Sequence, residues 1–164
     1  MRMETSYLVG RTIKAVLTYP LREVHPAWKS DLTPAICTYM AFLELVGGEL
    51  VGISPCEVSL EGDRYPVLGL SLGRCTKEEM RLPQSDGRVV DVTTLNEAES
   101  VLPLVVSAVF ESDPLGEGTA SQLRIESVAS GAIVFRHVMP PITLGIIVEN
   151  EVYASNNSLQ ARRP

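Results

Sequence analysis

The sequence predicts an α+β fold that is mainly antiparallel β, built as two similar half-modules sharing one core. Three observations carry this. Short runs rich in β-formers are separated by Gly- and Pro-bearing breaks, the pattern of strands and turns. The stretch 43–53 (LELVGGELVGI) holds a Gly-Gly pair between two apolar runs, and glycine accepts the positive φ of a tight hairpin turn. A similar stretch, 125–134 (IESVASGAIV), recurs later in the chain with matching flanks on both sides. A period of roughly 80–90 residues is too long for a solenoid unit and suggests a duplicated half-domain.

Taken in order, Met3–Leu8 reads as an entry turn and Thr12–Tyr19 as a strand ended by Pro20, with Ile13, Ala15 and Leu17 on one face. Residues 20–34 contain three prolines, mixed charges and the single tryptophan, and read as a long surface loop. Ile36–Val46 is the next strand, with Tyr39, Ala41, Leu43 and Leu45 on one face and Met40, Phe42 and Glu44 on the other. After Gly47-Gly48 the chain returns through Glu49–Ile53, loops over 57–64, and forms a strand at Tyr65–Leu72. Thr76–Glu79 has a capping-box pattern and predicts a short helix to Leu82. Pro83–Gly87 is the candidate linker, dividing a first module (1–82) from a second (83–153). Thr94–Glu97 repeats the capping pattern, with helix expected from Leu95 to Leu102, before Pro103. Val105–Phe110, Leu123–Val128, Ala132–Val138 and Ile142–Ile146 then repeat the strand order of the first module. Residues 154–164 are polar and read as a disordered tail.

Composition narrows the function classes. At 164 residues the chain is long enough to bury roughly 70% of its unfolded surface without staples. Cys37, Cys56 and Cys75 are too widely spaced for a zinc site or a disulfide framework, which suits a reducing cytoplasmic setting. The N-terminus lacks the apolar region of a secretory signal, and no run approaches the ~20 apolar residues that cross a bilayer. The net charge of −6 is uneven: residues 1–82 hold nine basic and ten acidic residues, residues 83–164 five and ten. That balance argues against nucleic acid as a partner and suits a basic one.

No motif dictates a reaction. Cys56 with His137 is the one nucleophile–histidine pair the proposed repeat would bring together, and buried small thiols are the plain alternative. Glu57, Glu61 and Asp63 crowd one loop without the spacing of a calcium loop. Asp113–Gly118 carries glycines but lacks the lysine of a phosphate loop, and Asp91 with Glu97 or Glu99 has no shared cleft. No cofactor or metal is expected. The remaining candidates are contact residues: Arg22, His25, Trp28 and Lys29 in the proline-stiffened loop, with Asp113 and Glu117 from the matching loop of the second half. Trp28 reads equally as an interface anchor or as a core plug.

The runs Leu8–Ile13 (LVGRTI) and 42–55 (FLELVGGELVGISP) resemble small bacterial immunity proteins, in which a G-x-x-I strand precedes an L-x-L-x-x-G hairpin ending in I-S-P. The resemblance covers residues 8–72 and more weakly 101–149. It implies a non-catalytic protein that binds and blocks a cognate bacterial toxin, and it carries over no functional residues. The duplication is a departure from those small proteins. The alternatives are a self-associating structural subunit, pairing through an exposed strand edge, and a small enzyme using Cys56 or His137.

Overall fold

A computed structural model describes residues 3–22, 36–62, 64–139 and 142–150. His25, Trp28, Lys29, Asp63 and the tail 154–164 lie outside the described residues. Two large antiparallel sheets and one two-stranded hairpin make up the described fold. The first runs β5 (Val67–Cys75), β4 (Leu50–Val58), β3 (Ala41–Leu45), β1 (Thr12–Thr18), with the far side of β1 shared by the two-residue strands β8 (Thr93–Thr94) and β9 (Leu104–Val105). The second runs β10 (Ala108–Ser112), β11 (Gln122–Ser127), β12 (Gly131–Val138), β13 (Thr143–Asn150), β2 (Ile36–Thr38). The expected antiparallel β-structure is present. The helical part is smaller than expected: among the described residues it consists of two 3-10 helices, Thr5–Leu8 and Asn96–Val101.

Alternation places one face of each sheet inward, and the two inner faces share one core. Ile13, Val16, Leu43, Leu45, Val51, Ile53, Leu70 and Leu72 of the first sheet meet Leu123, Ile125, Ile133, Phe135, Leu144 and Ile146 of the second. Leu8, Ala98 and Val101 of the 3-10 helices close the ends of this layer. A sheet with one apolar face is stable only when that face is covered, and here each sheet covers the other.

Two register features depart from the sequence reading. A bulge between Ile13 and Ala15 shifts β1 by one residue, so Ile13 and Val16 face the core while Leu17 turns to the opposite side. An extra residue in one strand inverts the alternation beyond it. The expected single strand 36–46 breaks at Tyr39-Met40: β2 pairs with β13 in the second sheet, and β3 pairs with β1 in the first. Tyr39 consequently sits exposed instead of facing inward with Leu43. The chain changes sheets again between β9 and β10, at Val106-Ser107. The first sheet therefore contains two short strands from the second half of the chain, and the second sheet one strand from the first half.

The Gly47-Gly48 turn forms as expected, with φ of 105° and 89°, and closes a hairpin in which Leu45 N–H donates to Glu49 O (2.8 Å). Thr76 and Glu79 make the reciprocal capping bonds, Thr76 N–H to Glu79 Oε2 and Glu79 N–H to Thr76 Oγ1. They stabilise a single turn, since the chain enters a hairpin of β6 (Leu82–Pro83) and β7 (Val89–Val90) directly afterwards. Pro83–Gly87, read from sequence as a linker, is the end and turn of that hairpin. Met80, Val90 and Val92 from this segment cover the outer face of the first sheet around Phe42, Tyr19 and Leu50. Tyr19 meets Phe42 edge-on (5.8 Å between centroids) and donates its hydroxyl to Met80 O (2.7 Å). Burial raises the Tyr19 phenol above its ordinary range, with Cys75 adding to the effect.

Candidate functional site

Both sheets end in loops at the same end of the sandwich. Their described parts are residues 19–22, 39–40, 59–62, 64–66, 113–121, 139 and 142. The two sheets are tied together there by hydrogen bonds between chain segments. Leu70 N–H donates to Ala120 O (3.0 Å), Leu68 N–H to Glu117 Oε2 (2.8 Å), and His137 Nδ1 bonds Gly69 O (2.9 Å). Six large apolar side chains on these stretches, Leu21, Tyr39, Tyr65, Leu115, Met139 and Ile142, are each more than two-fifths exposed, and Tyr65 reaches 74%.

Arg22 sits at this end in a defined position. Its N–H donates to Cys37 O (2.7 Å), its guanidinium donates to Thr143 Oγ1 (2.8 Å), and Tyr39 stacks beneath it with 4.4 Å from Cζ to the ring centroid. A stacked guanidinium has already lost its rotamer freedom, so a partner bound to it incurs a smaller ordering cost. Asp113 and Glu117, expected as contact residues, belong to the same end but have structural work. Asp113 accepts the N–H groups of Glu117 (3.1 Å) and Gly118 (2.8 Å), which folds the loop, while Glu117 covers a backbone donor on the edge of β5.

His137 is fully buried and both its ring nitrogens are engaged. Ile142 N–H donates to Nε2 (3.1 Å), so the proton resides on Nδ1 and is donated to Gly69 O. Cys56 is the register partner of Gly69 on the neighbouring strand. The imidazole lone pair that a nucleophile needs is taken by Ile142. Cys75 is also poorly suited to nucleophilic work: burial, aided by Glu79, pushes its thiol up to about 11. We expect Cys75 to react with a maleimide at pH 8 at least about tenfold more slowly than an unperturbed thiol. Mass mapping of the labelled cysteine checks this, and equal rates would contradict the buried setting.

Among the described residues no group of three His, Cys, Asp or Glu side chains is placed to hold a metal ion. A wide-open depression of ≈ 380 Å³ is lined by Glu111, Ser112, Asp113, Gly118, Thr119 and Ala120. The crevice between the sheets at Ile53, Leu70 and Leu123 measures only ≈ 10 Å³, well below the size of a small-molecule site. No described helix is long and apolar enough to cross a membrane.

One cluster escaped the sequence reading. Tyr7 donates its hydroxyl to Glu49 (2.6 Å to Oε1) and lies 4.5 Å from each of the Arg11 and Arg74 guanidinium carbons, measured to the ring centroid. Arg74 Nε also pairs with Glu49 Oε1 (2.9 Å). The group clamps the entry turn to the Gly47-Gly48 hairpin and to β5. Its members are scattered along the chain, so no spacing could have revealed it.

Compared with family models, curated proteins and solved structures, the chain matches none.

Proposed function

We propose that this chain is a non-catalytic protein-binding protein, an immunity protein that blocks a cognate bacterial toxin in the cytoplasm, and that the loop end of the sandwich is its contact surface. The observation that carries the reading is the grouping of exposed Tyr, Leu, Met and Ile side chains around the pre-stacked Arg22. Aromatic residues, Met and Arg are the types enriched in protein interfaces and their energetic centres. The net charge of −6 favours fast encounter with a basic partner.

The alternatives have less support. Self-association through a sheet edge is disfavoured at β5, whose Leu68 N–H, Leu70 N–H and Leu72 O are taken by Glu117, Ala120 and Met3. The enzyme reading lacks a free imidazole nitrogen at His137.

The decisive experiment is co-expression with the product of the adjacent upstream reading frame, followed by purification and mass measurement. A stoichiometric complex, with the neighbour toxic when expressed alone, is expected. Tyr39→Ala and Trp28→Ala should then each weaken binding by ~2 kcal/mol if they are anchors. Free protein beside a harmless neighbour would remove the immunity reading.

We further propose that the two halves are copies of one module. The meanders β1-β3-β4-β5 and β10-β11-β12-β13 share the same neighbour order, each follows a 3-10 helix, and each last strand has glycine third, Gly69 and Gly145. In a crystal structure, superposing the two meanders should set Gly69 on Gly145. A best fit that pairs either glycine with another residue would overturn the duplication.

A further inference from the structure

The imidazole of His137 is a buried ionisable group that links both sheets to the loop end. It spans from Gly69 O on β5 to Ile142 N–H, at the start of β13. Ile142 has φ of +61°, a left-handed conformation that β-branched residues rarely adopt, so something must hold it there. Its N–H is held by His137, while its carbonyl and the adjacent Thr143 hydroxyl accept from Arg22. The chain of contacts therefore runs from Gly69 through His137 and Ile142 to Arg22 and Tyr39.

We propose that protonation of His137 releases Ile142 and, with it, the anchor of Arg22, making the loop end sensitive to pH. This regulation rests on the reading of that end as a binding surface. A solvent proton added to Nε2 removes the only lone pair available to Ile142 N–H, and two N–H groups then face each other. The Nδ1–H bond to Gly69 O is unaffected, so the change is confined to the Ile142 side. Imidazole is the side chain whose ordinary titration falls within the physiological range. The two hydrogen bonds of the ring go to backbone groups, Gly69 O and Ile142 N–H. β5 presents Gly69, β13 presents Leu144, and the strand neighbour on the other side is Ser121, whose carbonyl accepts His137 N–H. The ionisable groups next in line are Cys56 opposite Gly69, Glu117 bonded to Leu68 N–H, and Arg22, a cation beyond Ile142.

The test uses the free protein and NMR. Hydrogen exchange of the Ile142 amide, corrected for its intrinsic rate, is followed from pH 8 to 5 alongside the ring-nitrogen shifts of His137. As pH falls, protection of Ile142 should drop by up to about tenfold per pH unit while the closed ring is still neutral and level off where the ring nitrogens titrate, while core amides of Leu123 and Phe135 stay protected. Flat protection across that range, or a fall that continues unchanged past the pH at which the ring nitrogens titrate, would overturn the proposal. In His137→Gln the side-chain amide can still accept from Ile142 and donate to Gly69 but does not titrate, so the pH dependence should vanish. If the same slope persisted, it would belong to Cys56, Glu117 or another group, and the proposal would fail. Should the variant not fold, the coincidence of the two wild-type titrations remains decisive. No partner takes part, so a failed toxin complex leaves this result standing, and flat protection leaves the binding reading untouched.

Discussion

Gly131→Ala is expected to destabilise the fold by at least ~3 kcal/mol and to lower Tm by about 6–12 °C. Gly131 opens β12 with φ of +119°, outside the conformations an L side chain tolerates. An added Cβ would overlap Glu149 O and sit 3.0 Å from the Asn150 Cα. Both are backbone atoms of β13, the strand with which β12 pairs over its whole length, so neither can swing aside as a flexible side chain would. Either the β12–β13 ladder loses its first pairs or the hairpin turn at 128–130 rebuilds. Gly87→Ala is the control, because Gly87 also has positive φ (83°) but meets nothing within 4 Å. It should cost only the conformational term, ~1 kcal/mol. Urea unfolding of the two variants measures the difference. Equal costs would show that strand approach at Gly131 is not limiting.

Phe135→Ala should cost about 3–5 kcal/mol, the transfer energy of the ring plus the cavity it leaves. Phe135 is completely buried between the sheets, with Leu123 and Ile146 as its cross-strand neighbours. Neighbours on both flanks are fixed in ladders, so the space cannot close by a small shift. Phe110→Ala provides the contrast: it lies on the edge strand β10, half exposed beside Arg124, and should cost less than about 1 kcal/mol. A cost for Phe135→Ala below about 1 kcal/mol in chemical denaturation, with an unchanged m value, would mean that the sheets do not share this core.

The outer face of the second sheet shows how much of its surface depends on pairing. Arg124 bridges Glu126 and Glu149, both at 2.6 Å, and the hydrogen bond it donates to Glu149 raises the guanidinium above its ordinary value. Glu126 is two residues from Arg124, so alternation puts both on one face and their pairing was readable. Glu149 comes from another strand and its place depended on the register of β13.

Local signals settled much of the β-architecture. Gly47-Gly48 dictated a hairpin because glycine tolerates two successive positive φ values, and the apolar alternation of 41–45 put Ala41, Leu43 and Leu45 on one face, which is buried. The Thr76–Glu79 capping bonds were legible as well, since they join residues three apart. Of the contact candidates, Arg22, Asp113 and Glu117 lie at the loop end, and the carboxylates of the last two hold backbone N–H groups there.

Other features depended on contacts between distant segments. Alternation alone cannot register the bulge at Ile13–Ala15 or the sheet change at Tyr39-Met40, because each is fixed by which partner strand offers a hydrogen-bonding edge. The Tyr7–Glu49–Arg74 clamp and the His137–Ile142–Arg22 chain have no sequence spacing to announce them. The sequence by itself determined most strand positions, the Gly47-Gly48 turn and the shared face of Ala41, Leu43 and Leu45, all governed by neighbours a few residues away. Only the tertiary structure decided which strands share a sheet, what covers each face, and which polar groups meet at the loop end, since those depend on edges and partners brought together from across the whole chain.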